Sequence, residues 1–344
     1  MLRILLLITG SLYFFQSASQ TYNEADVRPH TLPDVLKTSA GKKITAAKAW
    51  EDVRRREIIA LFEDNIYGKM PRHFESIEYS NFREDNTAVN GRAHLKEVQI
   101  KVSGKEHQAV VINLVLFIPN KIKYPAPVFL LINHRDKTNT DPARITQSDF
   151  WPAEMMIDSS YAVAAFHVSD VAADNAETFK DGVLAKLYPE QLGLPNGMRT
   201  IGSWAWAASR VMDYFVSSQE IDAKKVCIVG HSRGGKAALW AAATDTRFAI
   251  SFSNCSGNTG AALSRRRFGE TVKKINDAFP YWFTDNYKQF NDRENELPVD
   301  QHMLIALMAP RPVYVTNASK DLWADPTGSY LALKNAEPAY SLYY

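Results

Sequence analysis

Only two cysteines, Cys227 and Cys255, occur in the 344 residues, so a disulfide framework is excluded and at most one bridge could form. Charge of one sign is missing as well. Forty Lys+Arg stand against 38 Asp+Glu, a net of +2, which gives no long-range field for holding nucleic acid or anionic lipid. Gly and Pro number 16 each beside 46% hydrophobic residues, which excludes collagen-like and disordered chains. No period of 20 to 50 residues repeats, and beyond the N-terminus no apolar run is long enough to cross a membrane. A packed globular protein remains, whose partner is uncharged or recognised locally.

The N-terminus has the pattern of a secretory signal. Met1-Leu2-Arg3 is a short positive start, residues 4–15 are mostly apolar, and Ser17-Ala18-Ser19 places small residues before Gln20, where a signal peptidase would cut. The run is too short for a membrane anchor and is broken by Thr9, Gly10 and Ser11; no cysteine near the cut suits a lipid anchor. The expectation is a signal over 1–19 and a secreted or periplasmic protein without stable membrane insertion. Residues 20–90 read as a helical and loop extension packed on the main domain, with the clearest helix over 46–67, and residues 91–344 as that domain.

Within 91–344 the hydrophobic pattern changes character. Residues 95–102 and 109–118 alternate apolar and polar side chains, as an antiparallel pair does. Residues 128–132, 162–166, 226–229, 249–252 and 313–316 are short and nearly all apolar, as strands buried on both faces are. Helical patterns, notably 204–215 and 235–243, lie between them. The alternation predicts an α/β fold: a mostly parallel sheet with helices on both faces, three layers in all, its ligand at the carboxyl ends of the strands.

Val226-Cys227-Ile228-Val229-Gly230-His231-Ser232-Arg233-Gly234-Gly235-Lys236 reads as a buried strand, a sharp Gly-x-Ser-x-Gly turn and an Ala-rich helix. Small residues at 230 and 234 let strand and helix approach while Ser232 sits in a strained turn with its oxygen exposed, and the Arg233 amide faces the same space as an oxyanion donor. A serine nucleophile needs a base and a carboxylate to orient that base. Asp321, a few residues after strand 313–316, is the natural carboxylate and Asp325 the second choice; either could instead cap a turn or helix. The base is absent from its expected place. No His follows the last strand, and His302 is the last in the chain.

Four motifs in one order carry a resemblance: Gly230-His231-Ser232-Arg233-Gly234-Gly235-Lys236, Arg265-Arg266-Arg267-Phe268-Gly269-Glu270-Thr271-Val272, Asp300-Gln301-His302 with Ala309-Pro310-Arg311-Pro312, and Asp321-Leu322-Trp323-Ala324-Asp325-Pro326. From about Ile66 to the C-terminus the chain resembles the bacterial glucuronoyl esterases of carbohydrate esterase family 15. The resemblance implies an α/β-hydrolase fold and a metal- and cofactor-free serine esterase that cleaves 4-O-methyl-glucuronoyl esters between xylan and lignin alcohols. It further implies Ser232 as nucleophile, Arg233 as oxyanion stabiliser through amide and guanidinium, and Lys236, Glu270 and Trp323 as contacts to the sugar. The implied partner is glucuronoxylan or a lignin–carbohydrate ester. Taken singly, a Lys in a helix, a Glu after Gly and a Trp are more often surface or core residues.

Two departures stand out. The position of the fungal members' acid, a Glu after the strand that follows the nucleophile helix, is held by Cys255, so the role moves to Asp321, the place many bacterial relatives use. The family's His lies some tens of residues past Tyr344. His134 and His167 follow strands at the rim but on the oxyanion side, and His302 reads as a packing residue. The expectation is therefore a chain truncated before its base, lacking the last strand and helix and nearly inactive. An acetylxylan esterase of the same fold and a non-catalytic carbohydrate-binding protein are the alternatives.

Overall fold

A computed structural model describes residues 21–344 apart from 123 and 124, and the signal expected over 1–19 lies outside them. Eight strands form a single sheet in the order β1-β2-β3-β5-β4-β6-β7-β8. These are β1 Ser76–Thr87, β2 Ala93–Ser103, β3 Ala109–Pro119, β4 Ala126–Asn133, β5 Ala162–His167, β6 Ile221–His231, β7 Ile250–Asn254 and β8 Val313–Thr316. The first three run antiparallel to their neighbours, and β5-β4-β6-β7-β8 are parallel. Seven strands match the runs expected from sequence.

β1 does not, and its position explains why. It is the edge strand, paired only with β2, and most of its side chains are exposed or half-buried, so apolar alternation is weak. The extension over 20–90 is therefore not only helix and loop, and the nucleophile strand is the sixth in the sheet rather than the fifth. The helical stretch over residues 47–67 alternates α and π turns, and its Trp50, Ile58, Phe62, Ile66 and Tyr67 join the same core as the sheet. Tyr67 stacks on Trp240 of the nucleophile helix at 4.5 Å and 8°, and its hydroxyl donates to the Thr259 carbonyl.

One sheet face carries the large core. Val128, Leu130, Ile132, Val226 and Ile228 are fully buried there beneath the helices Thr200–Ser217 and Arg233–Thr244. Each such side chain contributes about 1.5–3 kcal/mol through burial. The opposite face is covered by the short helix Ala153–Asp158 over β3 and β5, where Phe117, Leu131, Trp151, Ile157 and Val163 cluster. Farther along that face the aromatic rings Tyr161, Phe129, Phe252 and Tyr314 follow one another at 5.3–5.4 Å, and Tyr314 is 56% exposed. After β8 the chain continues into the helix Pro326–Tyr340, packed against Gln301–Ala306. No helix among the described residues is long and apolar enough to cross a membrane.

Candidate active site

Ser232 occupies the turn between β6 and the helix Arg233–Thr244 with φ 52° and ψ −125°, a strained conformation for a residue with a Cβ. The neighbouring glycines permit it. A Cβ on Gly230 would stand 2.0 Å from the Gly234 carbonyl oxygen, and one on Gly235 would stand 3.0 Å from Ser253 Oγ. Strand and helix therefore touch through backbone, as the motif requires. The Ser232 amide donates to Asn254 O on β7 at 2.8 Å, which fixes the turn to the sheet. Arg233, the first residue of the helix, has no partner for its amide within the helix, so that N–H is available to an oxyanion.

The Arg233 side chain is held from two sides. Nη1 donates to Asp174 Oδ2 at 2.5 Å, and the guanidinium lies 4.6 Å from the ring centre of Trp282 and 4.9 Å from that of Phe279. Its Nε is buried and donates to no group among the described residues. Asp174 also accepts from Tyr281 Oη at 2.9 Å and Trp282 Nε1 at 2.8 Å. None of these partners belongs to the four sequence motifs, although the aromatic run Phe279-Pro280-Tyr281-Trp282-Phe283 is a signal on which to look.

Lys236, one turn into the same helix, is buried. Its Nζ donates to Glu270 Oε2 at 2.6 Å, to Ser256 O at 2.8 Å and to the Asn258 carbonyl. Burial pulls the Lys236 ammonium down and pushes the Glu270 carboxyl up, each opposed by the other's charge. Gly257, at φ 60°, makes room for Glu270: a Cβ there would meet Oε2 at 2.7 Å. The Glu270 amide donates to Trp323 O at 2.9 Å, tying this pair to the loop that carries Trp323, a residue 42% exposed. Lys236, Glu270 and Trp323 are thus connected to one another, with Trp323 partly exposed.

Asp321 sits in the loop after β8, half-buried, accepting weakly from the Ala324 amide at 3.4 Å. Asp325, the second choice for the acid, is committed elsewhere: it pairs with Arg266 Nε at 2.9 Å and caps the helix Pro326–Tyr340 through the Gly328 amide at 2.8 Å. All eight histidines of the chain lie among the described residues, and none bonds Ser232 or Asp321. His231 Nδ1 pairs with Asn254 Oδ1 at 2.6 Å, both His167 nitrogens are engaged by Ser169 and the Arg135 carbonyl, and His302 Nε2 donates to Pro33 O at 2.9 Å. His134 stacks on His231 at 6.1 Å, with Phe150 edge-on to both. Burial first, then the Arg233 and His231 charges, hold its imidazole down to about 3, so it is neutral at pH 7 and a poor base.

The family of glucuronyl esterases described from fungi matches this chain over residues 107–343. A carbohydrate esterase from an unknown prokaryotic organism is 40% identical across 98% of this chain and 86% of its own length. The chain belongs to the glucuronoyl esterases of carbohydrate esterase family 15. Among solved structures, a glucuronoyl esterase from Solibacter usitatus superposes with a TM-score of 0.87 at 37% identity, covering 93% of this chain and 88% of that one. A promiscuous esterase of the same family from a marine bacterial metagenome gives 0.85 at 39% identity, covering 94% and 88%. This glucuronoyl esterase is accordingly a carboxylic-ester hydrolase with the α/β-hydrolase fold. Nothing in these matches shows the C-terminal loss expected from sequence.

Proposed function

We propose that this glucuronoyl esterase cleaves esters of 4-O-methyl-glucuronic acid, the linkage that joins xylan to lignin alcohols, by acyl transfer to Ser232. The names of fungal relatives support the substrate: a 4-O-methyl-glucuronoyl methylesterase of Schizophyllum commune is 28% identical over 90% of this chain. The observation that carries the reading is the strained turn of Ser232 between β6 and its helix, followed directly by Arg233 with its unpaired amide and, one turn on, by Lys236 paired to Glu270.

In the first step Ser232 Oγ attacks the ester carbonyl carbon, and the oxygen that gains charge is met by the Arg233 N–H groups. The alcohol leaves with a proton, and water then attacks the acyl-enzyme to release glucuronate. Glu270 accepts from a sugar hydroxyl while Trp323 stacks on the ring; Lys236, whose three N–H donors go to Glu270, Ser256 O and Asn258 O, holds Glu270 rather than touching the sugar as expected from sequence. Asp321 is the acid of the triad. No histidine among the described residues hydrogen-bonds Ser232 or Asp321, and a base supplied at Oγ takes its proton and passes it to the leaving alcohol. The segment over 1–19 is read as a signal that exports the protein to the cell exterior or periplasm.

Free imidazole can serve as base in a test of substrate class. With methyl glucuronate and acetylated xylan offered side by side in imidazole buffer, the expectation is protein-dependent cleavage of the uronate ester alone. Acetate release at a comparable rate would favour an acetylxylan esterase, and glucuronate binding without any cleavage a non-catalytic binding protein.

A further inference from the structure

Asp174 lies in the loop after β5, 59 residues before Arg233, and its carboxylate faces a converging set of donors. Oδ2 takes Arg233 Nη1 at 2.5 Å, while Oδ1 takes Tyr281 Oη at 2.9 Å and Trp282 Nε1 at 2.8 Å. The Asp174 side chain is only 15% exposed, and that of Arg233 28%. Phe279 and Trp282 stack in parallel at 3.7 Å and 2°, and the guanidinium lies over this pair. A guanidinium is a rigid planar fork, so pinning one nitrogen and one face leaves little freedom to the remaining N–H groups. Nε is itself buried, so the N–H groups left to face a substrate are those of Nη2, which is thereby held in a fixed direction.

We propose that Asp174 is a positioning residue for the esterase site: anchored by Tyr281 and Trp282, it fixes the Arg233 guanidinium so that its free N–H groups meet the oxygen of the glucuronoyl carboxyl. The inference rests on the assignment of Arg233 to that oxygen. Asp174 needs no contact with substrate for this role. Burial and the neighbouring Asp174 charge push the Tyr281 hydroxyl up to about 12, which keeps it a donor across the working range.

Electrostatics alone would give Asp174 the opposite effect. Its negative charge near the site disfavours an anion, so deleting the charge without disturbing geometry would strengthen binding of glucuronate. Positioning requires binding to weaken. Asp174→Asn keeps the shape, but its single oxygen cannot serve both Arg233 and the Tyr281–Trp282 pair, and its NH2 must face one set of donors.

The experiment is a double-mutant cycle on the dissociation constant of D-glucuronate, read by titration calorimetry and independent of turnover. Asp174→Asn is expected to weaken glucuronate about tenfold, Arg233→Ala by at least as much, and the double variant no more than Arg233→Ala alone, the loss of one charge-assisted hydrogen bond. Asp174→Glu, which keeps the charge, should recover part of the loss, with circular dichroism confirming each fold. Unchanged or tighter binding by Asp174→Asn, or a loss that persists in the Arg233→Ala background, overturns the positioning role. If Arg233→Ala itself binds glucuronate normally, the placement of Arg233 at the carboxyl fails first and takes this inference with it.

Discussion

The Cys255 thiol lies against the Asp321 carboxylate: burial and the Asp321 charge together push the thiol up, and its Sγ accepts the Ala318 amide at 3.4 Å. Cys255 directly follows β7 and Asp321 lies in the loop after β8, adjacent strands of the sheet. An acid on either loop would therefore reach the same spot, as the proposed assignment of Asp321 to the triad requires.

That adjacency gives a prediction for Asp321. Imidazole supplied in solution is expected to raise methyl glucuronate hydrolysis saturably, by roughly ten- to a hundredfold, the low end of general-base catalysis. Asp321→Asn should remove most of this gain, because the acid orients and stabilises the imidazolium. Asp325→Asn should keep the gain per folded molecule yet lower stability by about 3–5 kcal/mol, since it breaks the buried pair with Arg266 and a helix cap. Equal imidazole responses in the two variants would remove Asp321 from the triad.

The Lys236–Glu270 pair makes a separate prediction about stability. Lys236→Met leaves a buried carboxylate without its cation, at a cost of about 3–5 kcal/mol, whereas Lys236→Met with Glu270→Met removes both charges and should be markedly less destabilising. Denaturant midpoints measure this. Both variants should lose glucuronate affinity if Glu270 touches the sugar.

His134 sets a pH dependence of known sign. Its imidazole stays neutral in the folded protein down to about 3, surrounded by Arg233, His231, Asp174 and Arg135, while in the unfolded chain it takes a proton near 6.5. The contribution is present above pH 6.5 and is lost as pH falls towards 3, a loss of up to about 4–5 kcal/mol. The stability difference between wild type and His134→Gln should therefore shrink as pH is lowered from 7 to 4 in urea titrations. A difference independent of pH would show that His134 is solvated and free to protonate.

Much of this architecture is legible in the residue pattern alone. Alternation places the antiparallel β2 and β3, and short apolar runs place β4 to β8, because the parallel part of the sheet buries both faces of its strands and leaves a continuous apolar signature. β1 escapes because Ser76–Thr87 is an edge strand whose outward side chains carry no pattern. Ser232, with small residues on both sides, announces its turn through local chemistry. Asp174 cannot be found this way: its partner is 59 residues distant, and a single Asp in a loop has no period or spacing to betray it. The commitment of Asp325 is readable in principle, since Asp325-Pro326 is an N-cap followed by proline at the first helical position.

The proposed function rests on Ser232 as nucleophile, with no described histidine hydrogen-bonded to it. Labelling with a fluorophosphonate, followed by intact mass and peptide mapping with and without imidazole, tests this most directly. The expected result is one adduct on Ser232, formed slowly alone and much faster with imidazole, and absent in Ser232→Ala. Labelling that survives Ser232→Ala would contradict the nucleophile, and rapid labelling without imidazole that is lost in His134→Ala would show that the base resides within the chain.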